Sequence, residues 1–331
     1  MNTITSQIGQ LFIIGFQGRN PSKVFLNFLA EENIGGVILF ADNCESITDL
    51  KETITQIKDA TDAKPFIAID QEGGRVSRIK GVPAEIHSAM DYVEKYSLEK
   101  FKDDYEKSLI YLDALGININ LAPVCDIFLN EKNECLKDRC YGTTKETVIP
   151  FIEESVKLAK KQNILSCLKH FPGLGDASVD PHKATAVGDF DFHIWSLREK
   201  EVFLVGAEAG ADLIMTTHIS LPKMNDTLVT GSEEFIQSYL RSELNYDGAV
   251  ISDDLTMKGC DPLGDYGQRT VKAFLAGHDI LLFGQNLDAS MEAYEHFHHA
   301  VHTNEIPEKR LQTALERVAG LKLKMIQSVF T

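Results

Sequence analysis

Five ionisable side chains lie within one short run of the sequence, KHFPGLGDASVDPH, at positions 169–182. The run follows an apolar segment, Ile164 to Leu168, which is typical of a buried strand, and a proline and two glycines then turn it into a loop. The ionisable residues are Lys169, His170, Asp176, Asp180 and His182. Because α/β enzymes place their chemistry on loops that follow strands, this run is a candidate catalytic site. A solvated polar loop would explain any single one of these residues equally well.

Charged side chains also end other apolar runs of the chain. They occur in IDQEGGRVSR at 69–78, LAPVCD at 121–126, MTTH at 215–218 and ISDDL at 251–255. The residues concerned are Asp70, Glu72, Arg75, Arg78, Asp126, His218, Asp253 and Asp254. In a parallel barrel these strand ends meet at one face. The sequence therefore predicts one apolar-walled mouth, lined with polar groups, that binds a small molecule.

Neighbouring residues of a strand point to opposite sides, so only one of Asp253 and Asp254 is expected to face the mouth. The other would cap the turn at Thr256 and Met257, and periodicity leaves both assignments open. The same ambiguity applies to Lys169 and His170, one of which could be structural.

The mixture of Asp, Arg, Lys and His suits a sugar, whose hydroxyl groups need many hydrogen-bond donors and acceptors. A phosphate site would need a glycine-rich helix start, and GGRV at 73–76 is too weak to be one. Neither an HExxH motif nor a cysteine cluster points to a metal. We therefore expect neither a metal nor a cofactor.

Apolar runs rich in β-branched residues alternate with amphipathic helical patterns along the chain. The runs are Leu11–Phe16, Gly36–Phe40, Phe66–Asp70, Ile117–Pro123, Ser166–Phe171, Asp212–His218, Ala249–Asp254 and Asp279–Gly284. The helical patterns cover Ser22–Glu32, Ile47–Thr61, Lys100–Leu115, Thr147–Lys161, Leu197–Ala209, Ser232–Leu244, Gln268–Ala276, Ala289–Val301 and Pro307–Ser328. Eight strands alternating with helices favour a (β/α)₈ barrel of the α/β class over a doubly wound sheet. We expect one such domain over residues 1–331.

Composition limits the partners and the compartment. The chain has 331 residues, of which 44% are hydrophobic and 25% are charged, and its net charge is −16. This charge disfavours nucleic acid and anionic membranes as partners. The N-terminal apolar run is too short for a signal peptide or a membrane span, and the six cysteines form no CxxC pair. We expect a monomer in the reducing cytoplasm.

Four motifs together resemble glycoside hydrolase family 3, specifically its single-domain β-N-acetylglucosaminidase branch. They are IDQEGGRVSR at 69–78, KHFPGLG at 169–175, the Asp-x-His at 180–182 and ISDDLTM at 251–257, in the family's order and spacing. The resemblance covers almost the whole chain. It implies a (β/α)₈ barrel that hydrolyses terminal, non-reducing, β-linked N-acetylglucosamine, such as that of muropeptide-like substrates in peptidoglycan recycling.

By this resemblance, Asp253 matches the nucleophile, His182 the general acid/base and Asp180 its partner. The residues that match the sugar-binding positions are Asp70, Arg78, Arg139, Lys169 and His170. The chemistry is coherent, because a retaining glycosidase needs a carboxylate on one face of the anomeric carbon and an acid/base on the other. A histidine can donate and then accept the same proton near neutral pH, and a carboxylate partner would fix its tautomer.

Two residues depart from the family's pattern. Leu174 stands where the family usually has His, and Pro181 stands where it usually has Ser. Both change the loop that carries the acid/base, so a non-catalytic sugar-binding relative is one alternative. A phosphorylase is the other, because a neutral His in place of a carboxylate would not repel an incoming phosphate.

Overall fold

The computed structural model describes residues 5–61, 63–177 and 181–327. Eight parallel strands form its central sheet. They are β1 (Phe12–Gly15), β2 (Gly36–Leu39), β3 (Phe66–Ile69), β4 (Ile119–Asn120), β5 (Leu165–Phe171), β6 (Leu213–Thr216), β7 (Ala249–Ser252) and β8 (Leu281–Phe283). Each overlaps one of the predicted apolar runs, and every residue of all eight is buried. The continuous apolar character of the runs reflects burial on both faces of the strands.

The sheet closes into a barrel. Pairing runs in parallel from β1 through β7, and β8 pairs with β1. On the remaining side, Ile251 of β7 forms a parallel bridge with Ile280, which precedes β8. The Ser252 N–H donates to the Ile280 carbonyl at 3.0 Å. The predicted (β/α)₈ barrel is therefore confirmed.

Helices surround the barrel and follow the strands in sequence. They are α1 (Lys23–Glu31), α2 (Ile47–Asp59), α3 (Ala89–Glu94), α4 (Leu98–Leu115), α5 (Lys145–Lys161), α6 (Phe192–Leu197), α7 (Glu199–Glu208), α8 (Tyr266–Ala276), α9 (Leu287–His302) and α10 (Glu308–Gln327). The first begins as predicted, because the Ser22 hydroxyl caps it by accepting from the Phe25 N–H at 3.1 Å. In the described ranges, the helices all lack the combined length and apolarity that a membrane crossing requires.

Two predicted helices differ from the structure. The helix expected over Leu197–Ala209 begins later, as α7 at Glu199, and a further helix that was not predicted, α6, ends just before it at Leu197; Arg198 between them has a non-helical φ of −122° and ψ of −82°. Helix α6 carries the fully buried Trp195, whose indole N–H donates to the Pro172 carbonyl at 3.0 Å. The helix expected over Ser232–Leu244 is shorter, Phe235–Glu243, and has π-type hydrogen bonding.

A buried aspartate joins the segments at the amino-terminal ends of β7 and β8. Asp279 has no exposed surface, and its Oδ2 accepts from the Val250 N–H and from Arg241, both at 3.0 Å. Its Oδ1 accepts from Arg310 at 3.2 Å and from Arg317 at 3.4 Å, both on α10. One carboxylate thus balances three guanidinium groups and ties α10 to the barrel.

We predict that Asp279→Asn destabilises the protein by roughly 3 kcal/mol, because it leaves Arg241 and Arg310 without the carboxylate that balances their charges. Urea unfolding followed by circular dichroism measures this change. The control is Lys107→Ala, which removes an exposed i,i+4 pair with Asp103 and should cost less than about 0.5 kcal/mol. Equal effects of the two substitutions would contradict the role assigned to Asp279.

A second buried acid supports the turn that follows β5. Glu199 is 2% exposed, and its Oε1 accepts from Arg198 Nε at 2.5 Å. Its Cγ fills the space beside Gly173, where an added Cβ would lie 2.6 Å away. Burial raises the pKa of Glu199 to about 7, despite the opposing effect of Arg198. The side chain is therefore protonated in the folded protein under mildly acidic conditions.

This pKa predicts how stability depends on pH. Between the ordinary pKa of 4.5 and about 7, the folded state keeps a proton that the unfolded state releases, so stability falls as pH rises. We expect Glu199→Gln to match wild type at pH ~4.5 and to exceed it above pH ~7, by on the order of 3 kcal/mol at most. Scanning calorimetry across this range tests it. A constant difference between variant and wild type would contradict the prediction.

Candidate active site

A cavity of about 520 Å³ opens at the carboxyl ends of the barrel strands. Apolar side chains such as Ile38, Leu121 and Met215 form part of its wall. Seven of the eight predicted site residues line it: Asp70, Arg78, Arg139, Lys169, His170, His182 and Asp253. The eighth, Asp180, lies outside the described residues. The structure therefore brings together residues that are spread over more than half of the sequence.

The centre of the polar wall is Lys169, near the end of β5. Its side chain is 2% exposed, and its Nζ lies 2.7 Å from Asp70 Oδ1 and 2.6 Å from Glu72 Oε1. Arg78 contacts the other oxygen of Asp70 at 3.2 Å. Burial alone would raise the pKa of Asp70, but Lys169 and Arg78 outweigh it and lower that pKa. The pair is therefore ionised and presents fixed charges to the cavity.

Arg139 extends this network from the long loop after β4. Its Nε and Nη2 donate to the two oxygens of Glu72 at 2.7 and 2.8 Å, a bidentate pair. Burial by itself would raise the pKa of Glu72, yet Arg139 and Lys169 together hold that pKa below its ordinary value. Glu72 thus fixes both cations in place. The sequence marked Glu72 only as a charge at a strand end and gave it no role.

His170 lies between Arg139 and a second buried acid. Arg139 Nη2 is 3.4 Å from His170 Nε2, and His170 Nδ1 is 2.6 Å from Asp126 Oδ2. Because a guanidinium can only donate, Nε2 is the acceptor and Nδ1–H donates to Asp126. Asp126 Oδ1 also accepts from the Leu174 N–H at 2.6 Å. Asp126 is a second residue whose supporting role the sequence did not reveal.

The structure distinguishes the two adjacent aspartates at the end of β7. Asp254 Oδ1 accepts from the N–H and the hydroxyl of Thr256, both at 2.8 Å, and from the Gly284 N–H at 2.9 Å. Both aspartates line the cavity, and Asp253 Oδ1 accepts from the Asp254 N–H at 2.8 Å. The prediction that one aspartate caps the following turn is thus confirmed for Asp254. Because Asp254 caps that turn, Asp253 is the candidate of the two for a chemical role.

The loop after β5 divides into a packed part and an exposed part. Leu174 is 2% exposed and lines the cavity, and its carbonyl accepts from Asn133 Nδ2 at 2.9 Å. His182 is exposed and also lines the cavity, next to the buried Pro181. Leu174 is therefore a packed wall residue, whereas His182 is open to solvent where it lines the cavity.

His218, predicted as a polar group at the end of β6, is fully buried behind the cavity wall. Its Nε2 lies 2.9 Å from the Asp254 carbonyl, and its Nδ1 lies 2.7 Å from the Thr230 hydroxyl. This arrangement supports the turn that carries the two aspartates. Across residues 5–61, 63–177 and 181–327, no cluster of three or more His, Cys, Asp or Glu side chains could hold a metal ion.

Comparisons with known proteins agree with this architecture. The sequence profile of the glycosyl hydrolase family 3 N terminal domain matches residues 3–321. A beta-hexosaminidase of Hydrogenovibrio crunogenus is 32% identical over 260 residues, which are 77% of this chain and 72% of the relative. Beta-hexosaminidase A of Pseudoalteromonas piscicida is 30% identical over 330 residues, which are 91% of this chain and 55% of the relative.

A solved structure with the same fold is that of a glycoside hydrolase family 3 beta-N-acetylglucosaminidase from Paenibacillus sp. str. FPU-7. It superposes with a TM-score of 0.91 at 28% identity over 98% of this chain, and the match covers 63% of that protein. This chain thus spans little more than half the length of some relatives that it matches. The profile match and the identity to the Hydrogenovibrio protein show that the chain belongs to glycoside hydrolase family 3.

Proposed function

We propose that this domain is a retaining exo-β-N-acetylglucosaminidase. One observation carries the proposal: Asp253 and His182 line the same cavity as the charged network built on Lys169. The similarity to proteins named beta-hexosaminidase and to a beta-N-acetylglucosaminidase of known structure supports the same substrate class. The proposed substrate carries a terminal, non-reducing, β-linked N-acetylglucosamine. The muropeptide-like aglycone and the role in peptidoglycan recycling stay predictions.

The charged wall suits the sugar ring. Sugar hydroxyls both donate and accept, and the ionised Asp70 offers acceptors while Arg78, Arg139 and Lys169 offer donors. His170 adds a ring edge whose orientation Asp126 fixes at 2.6 Å. These groups hold one another in place before a ligand arrives. Binding therefore requires little further loss of side-chain entropy.

In the first chemical step, Asp253 attacks the anomeric carbon while His182 gives a proton to the departing glycosidic oxygen. The products of this step are a glycosyl–Asp253 ester and the free aglycone. In the second step, His182 takes a proton from water, whose oxygen attacks the same carbon and releases the Asp253 carboxylate. Asp180, the proposed partner of His182, has this role by the family resemblance.

We predict that Asp253→Asn lowers kcat for 4-nitrophenyl N-acetyl-β-glucosaminide by at least about 1,000-fold, because an amide is a poor nucleophile. Release of nitrophenol measures the rate. Proton NMR of the wild-type reaction should show the β-anomer of the sugar first, which is the signature of retention.

An unchanged melting temperature is the control for the fold of the Asp253→Asn variant. The α-anomer as first product, or a variant with more than a tenth of wild-type activity, would contradict the mechanism. Sugar 1-phosphate formed in phosphate buffer would instead identify a phosphorylase. Binding of N-acetylglucosamine by wild type without turnover would identify a sugar-binding relative.

The wall network generates a second prediction. Glu72→Gln removes the charge that holds both Lys169 and Arg139, so we expect kcat/KM to fall by about 100-fold. The matched control is Glu134→Gln, because Glu134 lines the same cavity but is exposed and should change kcat/KM by less than about threefold. Steady-state kinetics of both variants test the difference. Similar losses for the two would show that the buried pairing does not matter.

A further inference from the structure

We infer that Gly259 and Thr185 are positioning residues that hold the His182 segment against the turn carrying Asp253. This inference rests on the proposed function, because it concerns the acid/base and the nucleophile of that reaction. Neither residue lines the cavity, so any effect on catalysis would act through His182.

The main chain of Gly259 makes contacts on both sides of His182. The Gly259 N–H donates to the Pro181 carbonyl at 2.9 Å, and the Gly259 carbonyl accepts from the Thr185 hydroxyl at 3.1 Å. The segment 181–185 is thereby held at both of its ends by one residue. Since His182 directly follows Pro181, this attachment restrains the main chain from which its imidazole extends.

Space at Gly259 admits only a glycine. An added Cβ would lie 2.8 Å from the Pro181 carbonyl oxygen and 3.0 Å from His218 Cβ. His218 is fully buried and hydrogen-bonded on both ring nitrogens, so it has little freedom to withdraw. A methyl group at position 259 would therefore displace the Pro181 segment and move His182 with it.

Gly259 is itself rigidly placed relative to the nucleophile. It belongs to a 3₁₀ helix, Lys258–Leu263, that follows the turn capped by the Asp254 carboxylate. Arg269 Nη1 donates to the Leu255 carbonyl at 3.0 Å and to the Met257 carbonyl at 3.3 Å. One supported turn thus carries the nucleophile at its start and the anchor of the acid/base at its end.

The downstream end of the His182 segment is also fixed. Directly after Thr185, Ala186 and Val187 pair in parallel with Ile219 and Ser220, which follow β6. This pairing fixes the main chain next to Thr185. The Thr185 hydroxyl can therefore bond to Gly259 with little further loss of chain entropy. Together these contacts set the distance between the two proposed catalytic groups.

The test uses the dependence of rate on the leaving group. An aglycone such as 2,4-dinitrophenolate departs without a proton, whereas the second sugar of N,N′-diacetylchitobiose needs one from His182. We expect Thr185→Val to lower kcat/KM about tenfold for the disaccharide and less than twofold for the dinitrophenyl glycoside. Gly259→Ala should show the same pattern with a larger loss. Thr185→Ser, which keeps the hydroxyl, should behave as wild type.

Azide provides a second readout that a merely structural defect would not change. It attacks the glycosyl intermediate without a general base, so it should raise kcat of Thr185→Val and Gly259→Ala on the dinitrophenyl substrate and give the β-glycosyl azide. Wild type should not respond. His182→Ala is the reference variant and should show both signatures most strongly.

The outcomes separate the two proposals. If His182→Ala lacks both signatures, the acid/base assignment fails, and this inference fails with it. If His182→Ala shows them while Thr185→Val and Gly259→Ala lose activity equally on both substrates, or lose none, the proposed function stands and the positioning role is overturned. Should Gly259→Ala fail to fold, the comparison of Thr185→Val with Thr185→Ser decides.

Discussion

The site depends on a positive charge held almost out of reach of water. Lys169 is 2% exposed at its side chain and lies within 2.7 Å of two carboxylates. An isolated ammonium ion would not remain charged there, because desolvation is costly. Asp70 and Glu72 compensate that cost, and Arg78 and Arg139 in turn balance the two acids. The charged wall of the cavity is therefore one electrostatic unit, in which opposite charges keep one another ionised.

The barrel explains how this unit meets the proposed catalytic groups. The strands bring Asp70, Lys169 and Asp253 to one face, whereas His182 reaches the cavity from a loop. Loops are more mobile than strand ends, so the proposed acid/base, His182, needs an attachment of its own. The contact of Gly259 with Pro181 supplies one from the turn that carries the nucleophile. The turn that carries the proposed nucleophile, Asp253, is thereby attached to the segment that carries the proposed acid/base, His182.

The barrel and its charged mouth could be predicted from the sequence, because buried parallel strands appear as continuous apolar runs that end in charged residues at one face. The roles of the individual residues came instead from the family resemblance. The alternating direction of side chains along a strand does not show which of Asp253 and Asp254 caps the turn. That depends on hydrogen-bond donors from Thr256 and from the distant Gly284. The roles of Glu72 and Asp126 were hidden for a similar reason. Their partners lie 67 and 44 residues away, and only the folded chain brings them together.

The central claim is that Asp253 bonds to the sugar during turnover. The most direct measurement traps the intermediate with 5-fluoro-N-acetyl-β-glucosaminyl fluoride, whose fluorine substituent slows hydrolysis of the glycosyl ester, and locates the adduct by mass spectrometry of proteolytic peptides. The account predicts a single glycosyl ester on Asp253. An adduct on Asp254, or no adduct while the enzyme still cleaves N-acetylglucosaminides with retention, would contradict it.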